Sequence, residues 1–132
     1  MLFDSGVPVV QIPCATVASH LLTTVSELNE YVRPQGAMGI YLADIFSDYG
    51  KDGIARSKEV WDLSAIAWLL DESWVPSAVV PSPILTDQVT YSADAARHPV
   101  RMCTSCRRDP IFGDLFQKLM RLAAGELSPS WS

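Results

Sequence analysis

The chain predicts an α/β fold, mostly helical, with one strand of the parallel type and a small β-hairpin. Three stretches carry that expectation. Val7 to Pro13 holds Val7, Val9, Val10 and Ile12 in a nearly continuous apolar run, the pattern of a strand buried on both faces of a parallel sheet. Ser57 to Leu70 leads into a helix that is apolar on every side, with Leu63, Ile66, Ala67 and Leu70 on one face and Ala65, Trp68 and Leu69 on the others, which predicts burial. Ile111 to Ala124 is amphipathic, with Phe112, Leu115, Phe116, Leu119 and Leu122 forming its apolar stripe.

Taken in order, Leu2 to Gly6 reads as the last turn of a helix closed by a glycine, followed by the Val7 to Pro13 strand. Parallel strands are reached by crossovers, and no second unit of that kind follows, so the partners of this strand are expected upstream of Met1. Thr16 or Ser19 then caps a helix running to about Val32, with Leu21, Leu22, Val25, Leu28 and Val32 along one stripe, until Pro34 and Gly36 break it. Met38 to Tyr49 is a second helix with Asp44 and Asp48 outward, and the acidic loop around Asp52, from Gly50 to Gly53, is a solvated face. The central helix ends between Leu70 and Trp74, before Pro76. Pro81 and Pro83 exclude a central strand, whereas Ile84 to Tyr91 and Pro99 to Cys103 are expected to pair antiparallel. Asp109 before Pro110 reads as the N-cap and first position of the last helix, and the tail from Gly125 as loose.

The 132 residues suffice for one domain and one core, and 48% hydrophobic against 19% charged residues predicts a soluble globular protein. A net charge of -5 argues against electrostatic binding of nucleic acid. No basic segment followed by an apolar run opens the chain, and no stretch approaches a membrane span, so a cytoplasmic protein with no membrane partner is expected. Three cysteines cannot all pair, which fits a reducing compartment.

Five residues are candidates for chemistry. Asp62 stands where the apolar helix begins. It is read either as that helix's N-cap, accepting from the Ser64 or Ala65 amide, or as a ligand for a hard cation such as calcium. The indole of Trp61, immediately before it, is either core packing or an aromatic platform. His20 falls where the first strand gives way to the following helix, on the side where open α/β sheets bind ligands, and is either a hydrogen-bonded structural residue or a substrate contact. Cys103 and Cys106 have the spacing of half a zinc site or of a redox pair, and no second Cys pair completes the former.

Leu2 to Pro13, Trp61-Asp62 with the Ala-Ile-Ala-Trp-Leu-Leu that follows Ser64, and Arg-Asp-Pro-Ile-Phe at 108 to 112 occur in an order that resembles the C-terminal half of the inosine-uridine nucleoside hydrolases. The resemblance runs through nearly the whole chain. It implies a partial, open, Rossmann-like sheet of which residues 1–132 are the C-terminal portion, and hydrolysis of the N-glycosidic bond of ribonucleosides to ribose and a free base. In that family the position matching Asp62 is a calcium ligand. The residue before it is His in pyrimidine-accepting and nonspecific members and Trp in purine-preferring ones, so Trp61 implies leaving-group stacking of a purine. The family's Asp-rich N-terminal motif, which supplies most calcium ligands and the general base, has no counterpart in this chain, nor has the Asn- and Glu-bearing segment that holds the ribose. The chain by itself is therefore expected to be inactive, working as part of a longer enzyme, as a homo-oligomer or in association with an N-terminal half. The alternative is a noncatalytic remnant or interaction module of the same fold.

Overall fold

The computed structural model describes residues 2–49 and 55–126; the expected loop from Gly50 to Gly53 and the tail beyond Glu126 lie outside them. A 3₁₀ turn (Leu2–Asp4) precedes β1 (Val10–Gln11), and a second (Ala18–His20) enters β2 (Leu22–Thr24). β2 runs directly into α1 (Val25–Glu27) and a π-helical turn (Leu28–Val32). Then come α2 (Ala37–Tyr49), β3 (Ser57–Glu59), α3 (Leu63–Leu70) and a 3₁₀ turn (Glu72–Trp74). The order ends with β4 (Ser77–Pro81), β5 (Ile84–Leu85), β6 (Tyr91–Ser92), β7 (Pro99–Cys103) and α4 (Arg108–Ala123). Helices are thus mixed with short sheets that include a parallel pair, the ingredients of an α/β fold. The expected single strand and hairpin are replaced by three small sheets among the described residues.

The largest sheet has the order β1-β7-β4, with β7 parallel to β1 and antiparallel to β4. The Val7 to Pro13 run is therefore a parallel strand, but its partner lies downstream in this chain, and it is neither long nor buried on both faces. Val7 and Val10 are exposed. Prolines bound it: Pro8 has no N–H to give, and the Pro13 carbonyl accepts from Val17 and Ala18 at 3.1 and 3.0 Å to start a turn. β7 is the expected strand at Pro99 to Cys103, but it pairs with β4, not with the Ile84 to Tyr91 stretch. The prolines do not prevent this, because Pro81 and Pro99 face each other on the terminal rung, where a missing N–H costs little. β5 and β6 form a separate two-stranded element.

The expected helix from Thr16 or Ser19 to Val32 is also revised. The Ser19 hydroxyl donates back to the Ala15 carbonyl at 2.8 Å, and the helix starts instead at Thr24. There the Thr24 hydroxyl accepts the Glu27 amide at 3.2 Å while the Glu27 carboxylate accepts the Thr24 amide at 3.3 Å, a complete capping box. The β-branched Thr23 and Thr24 before it extend and pair with β3. α4 begins at Arg108 and not after an Asp109 cap. Arg107 holds the cap position, its N–H bound to the Trp74 carbonyl at 2.8 Å, and Pro110 falls inside the first turn, where no helical N–H is missed. At its far end Gly125 (φ 75) reverses the chain, as Gly125 N–H and Glu126 N–H bond back to Leu122 and Arg121.

Val17, Leu21, Val32, Ala67, Val75, Cys103, Ile111, Phe112 and Phe116 form the core, where Tyr31 stacks on Phe116 at 5.0 Å between centroids. The all-apolar helix contributes to it through one face only. In α3, Ser64 and Ala67 are buried, but Ile66, Leu69 and Leu70 are 56%, 73% and 55% exposed, because no described element covers the far side. α2 likewise buries only Gly39 and Ala43 and presents Met38, Ile40, Tyr41, Leu42 and Ile45 to solvent.

α2 packs on the π-helical turn so closely that a Cβ on Gly39 would run into the Val32 carbonyl, whereas nothing lies within 4 Å of a Cβ on Gly113 in α4. Gly39→Ala is expected to lower unfolding free energy by about 1 to 3 kcal/mol through overpacking, and Gly113→Ala to raise it by about 0.5 to 1 kcal/mol, as read from urea midpoints.

Burial pushes the Glu27 carboxyl up, but the Arg108 guanidinium, the Thr23 hydroxyl and the Thr24 amide outweigh it and hold the group below its usual range. A carboxylate whose folded value is depressed stabilises the fold fully above its unfolded value, and that contribution disappears as pH falls through the depressed one. The wild type is thus expected to lose stability as pH falls through the glutamate range and below it. Arg108→Ala is expected to cost about 1 to 3 kcal/mol at pH 7 and to flatten that acid limb, as checked by denaturant melts at several pH values.

Candidate functional site

The region singled out by Trp61 and Asp62 is built on the β2–β3 ladder, whose rungs are Leu22 to Glu59, Thr23 to Lys58 and Thr24 to Ser57. The Val60 amide carries the ladder one residue further by donating to the Leu21 carbonyl at 2.9 Å. β3 then turns into α3 through Trp61 and Asp62. The Trp61 carbonyl accepts both the Ser64 amide at 3.1 Å and the buried Ser64 hydroxyl at 2.7 Å, which fixes the backbone that carries the indole. Trp61 is 38% exposed and so is not a fully buried core aromatic.

Asp62 occupies the N-cap position of α3, but its side chain makes no capping bond. The reason is local: Asp62 already has helical dihedrals (φ -70, ψ -20), whereas a side-chain cap needs the extended backbone that turns the carboxylate back over the first amides. Its carboxylate is exposed and meets no hydrogen-bond or ion-pair partner among the described residues, so the expected bond to the Ser64 or Ala65 amide is not made.

His20 lies at the end of a 3₁₀ turn that leads into β2, not at a helix start, and it is exposed. Its Nδ1 is 3.1 Å from the Val17 carbonyl oxygen. The structure therefore brings the turn that ends at His20 and the turn that carries Trp61 and Asp62 to the same end of one ladder.

Cys103 is buried at the end of β7, Cys106 is half-buried, and burial raises both thiols above the usual range, which leaves little thiolate at neutral pH. Among the described residues no group of three or more His, Cys, Asp or Glu side chains is placed to hold a metal ion. Calcium takes about six to eight oxygens, and Asp62 supplies one carboxylate, so the described residues do not make up the calcium site that the resemblance implies. Among the described residues no helix is long and apolar enough to cross a membrane.

Two features escaped the sequence reading. Glu27 and Arg108 form an ion pair that braces this ladder, signalled only by the Thr-x-x-Glu spacing at 24 to 27. On the other side of β3, a cleft of about 160 Å³ lies between the strand and α2, lined by Val25, Phe46, Tyr49, Arg56, Lys58 and Glu59, with the Lys58 ammonium 3.9 Å above the Tyr49 ring. Compared with known proteins, the chain matches no family model and no curated protein.

The free Asp62 carboxylate and the engaged Thr24 hydroxyl are expected to differ in what they contribute to stability. Thr24→Ala removes a working cap and is expected to cost about 1 kcal/mol, while Asp62→Ala stays within about 0.5 kcal/mol of wild type. Thermal and urea unfolding of the two variants side by side checks the contrast.

Proposed function

We propose that this chain is the C-terminal part of a nucleoside hydrolase that cleaves the N-glycosidic bond of ribonucleosides, purine nucleosides favoured, to ribose and a free base. The observation that carries the reading is the Trp61–Asp62 pair: an exposed indole on a fixed backbone beside a carboxylate that the fold leaves unused. A residue kept only for packing would be buried, and one kept only for capping would be bonded. In the proposed site Trp61 stacks on the leaving purine, spreading the charge that builds on it as the bond to the anomeric carbon breaks. Asp62 serves the ribose side, where calcium would be held together with carboxylates of an N-terminal half. His20 lines the substrate. The water's general base belongs, on the resemblance, to that same N-terminal half, and the enzyme works in the cytoplasm.

The parallel β1 at the edge of its sheet supports continuation of the sheet by further strands, as an open nucleoside hydrolase sheet requires. The exposed apolar faces of α2 and α3 support association with an N-terminal half or with a second copy. The same faces favour the second reading, a noncatalytic interaction module.

The test supplies the chain with an N-terminal half bearing an Asp-x-Asp-x-Gly-x-Asp-Asp segment and measures ribose release from inosine and uridine. The chain alone is expected to release none. In the completed protein, Trp61→Ala is expected to lower the inosine rate roughly 5 to 150-fold, the worth of stacking on an aromatic platform, with a smaller loss on uridine. Asp62→Ala is expected to lower both together. An unchanged ratio of inosine to uridine rates in Trp61→Ala would end the stacking assignment, and a completed protein without ribose release would favour the interaction module.

A further inference from the structure

β3 is paired on one side only. Its partner is β2, and no further strand lies beyond it among the described residues. In an antiparallel ladder, rungs that exchange backbone hydrogen bonds alternate with rungs that do not. The Val60 amide donates to the Leu21 carbonyl at 2.9 Å, so within the ladder the Thr23–Lys58 rung is bonded and the Leu22–Glu59 and Thr24–Ser57 rungs are not. The N–H groups of Ser57 and Glu59 therefore point away from β2, and neither has a hydrogen-bond partner among the described residues.

This strand forms one wall of the cleft of about 160 Å³ whose other wall is α2. Residues 56 to 59 all line it. Successive side chains of a strand point to opposite faces, so backbone as well as side chains must border the space. Facing them are the rings of Phe46 and Tyr49, with the Lys58 ammonium 3.9 Å above the Tyr49 ring. Neither Lys58 nor Arg56 makes an ion pair among the described residues, whereas Arg33, Arg97, Arg108 and Lys118 each hold a carboxylate. Cations in a concave site with apolar walls attract an anion more strongly than they would on an open surface, because the walls focus the field. Size sets a further bound. An apolar cavity of about 150 Å³ takes benzene, so this cleft fits a single ring and is too small for a nucleoside.

We propose that the cleft binds a small aromatic carboxylate. The ring lies against Phe46 and Tyr49, and the carboxylate accepts hydrogen bonds at the rim from Arg56, Lys58 and the free Ser57 amide. Arg56 offers a planar pair of donors that matches two carboxylate oxygens, and the Tyr49 ring holds the Lys58 ammonium beside them. A neutral amide of the same shape lacks the charge, and inorganic phosphate lacks the ring, so neither engages both halves of the site. The site is separate from the Trp61–Asp62 turn and does not depend on the nucleoside reading.

The test titrates benzoate, benzamide and inorganic phosphate into the full chain at millimolar concentration, following backbone amide and aromatic side-chain resonances. Benzoate is expected to move the ring resonances of Phe46 and Tyr49 and the amide of Ser57, and to leave the Trp61 indole unmoved. It is expected to bind about tenfold more tightly than benzamide or phosphate, the worth of one charge-assisted hydrogen bond. Arg56→Gln changes an exposed side chain with no ion pair to lose. It is expected to weaken benzoate about tenfold and leave benzamide unchanged, while Lys58→Arg keeps the preference for benzoate. Unmoved Phe46 and Tyr49 rings, equal affinity for benzoate and benzamide, or wild-type benzoate binding by Arg56→Gln would overturn the site. Phosphate bound as tightly as benzoate would overturn the aromatic part of the assignment. None of these outcomes bears on ribose release, so the nucleoside reading stands or falls apart from them.

Discussion

The Glu27 carboxylate is the point where distant parts of the chain are tied together. It accepts the Thr23 hydroxyl at 2.9 Å, the Thr24 amide at 3.3 Å and the Arg108 Nη2 at 2.6 Å, while Arg108 Nε goes on to the Leu22 carbonyl at 2.6 Å. One ion pair thereby joins the end of β2, the start of α1 and the first turn of α4, across 81 residues of sequence. Exposed ion pairs contribute little, but here both side chains are roughly two-thirds buried, and Arg108 also lies over the Phe112 ring at 4.7 Å. Each charge satisfies backbone groups as well as its partner, so its loss would leave several groups unmet at once. The ladder from whose end the His20 and Trp61 turns depart is held from this corner.

A second clasp secures the opposite end. Ser82 and Arg97 both donate to the Phe3 carbonyl at 2.6 Å, and Arg97 pairs with Asp4 at 2.6 Å, holding that carboxyl below its usual range. The first turn of the chain is thus attached to the connections around β4 and β7. The apolar surface between these fixed points is less complete: the core is a modest set of aliphatic and aromatic side chains, while α2 and α3 keep much of their apolar surface outside. Their burial would take a surface that the described residues do not provide.

Local chemistry was legible where it acts alone. The strand at Pro99 to Cys103, the helix ending at Tyr49, the glycine reversal near residue 6 and the amphipathic last helix follow from propensity and period, and they fold close to the expected places. The misplaced helix start had a readable signal in the Thr24 to Glu27 spacing, outweighed by an apolar stripe that began at Leu21. Strand partners were not legible, because β7 can satisfy its backbone with β4 as readily as with the Ile84 to Tyr91 stretch, and pairing depends on which segments the tertiary packing brings alongside. Within the site, the sequence pointed to Trp61, Asp62 and His20 separately, and their grouping arises from a ladder between segments far apart in the chain.

What the sequence by itself determined is the set of available chemistry: an indole next to a carboxylate at the mouth of an apolar helix, one histidine near a strand end, and a net charge of -5. Only the tertiary structure decided how those groups are used. Helical dihedrals at Asp62 leave its carboxylate without the amides it was expected to cap, the His20 ring turns back to the Val17 carbonyl, and the β2–β3 ladder brings the turn that ends at His20 to the same end as the turn that carries Trp61. The physical reason is the same in each case. Residue types fix which hydrogen bonds are possible, but dihedral angles and long-range register, set by packing across the whole chain, choose among them.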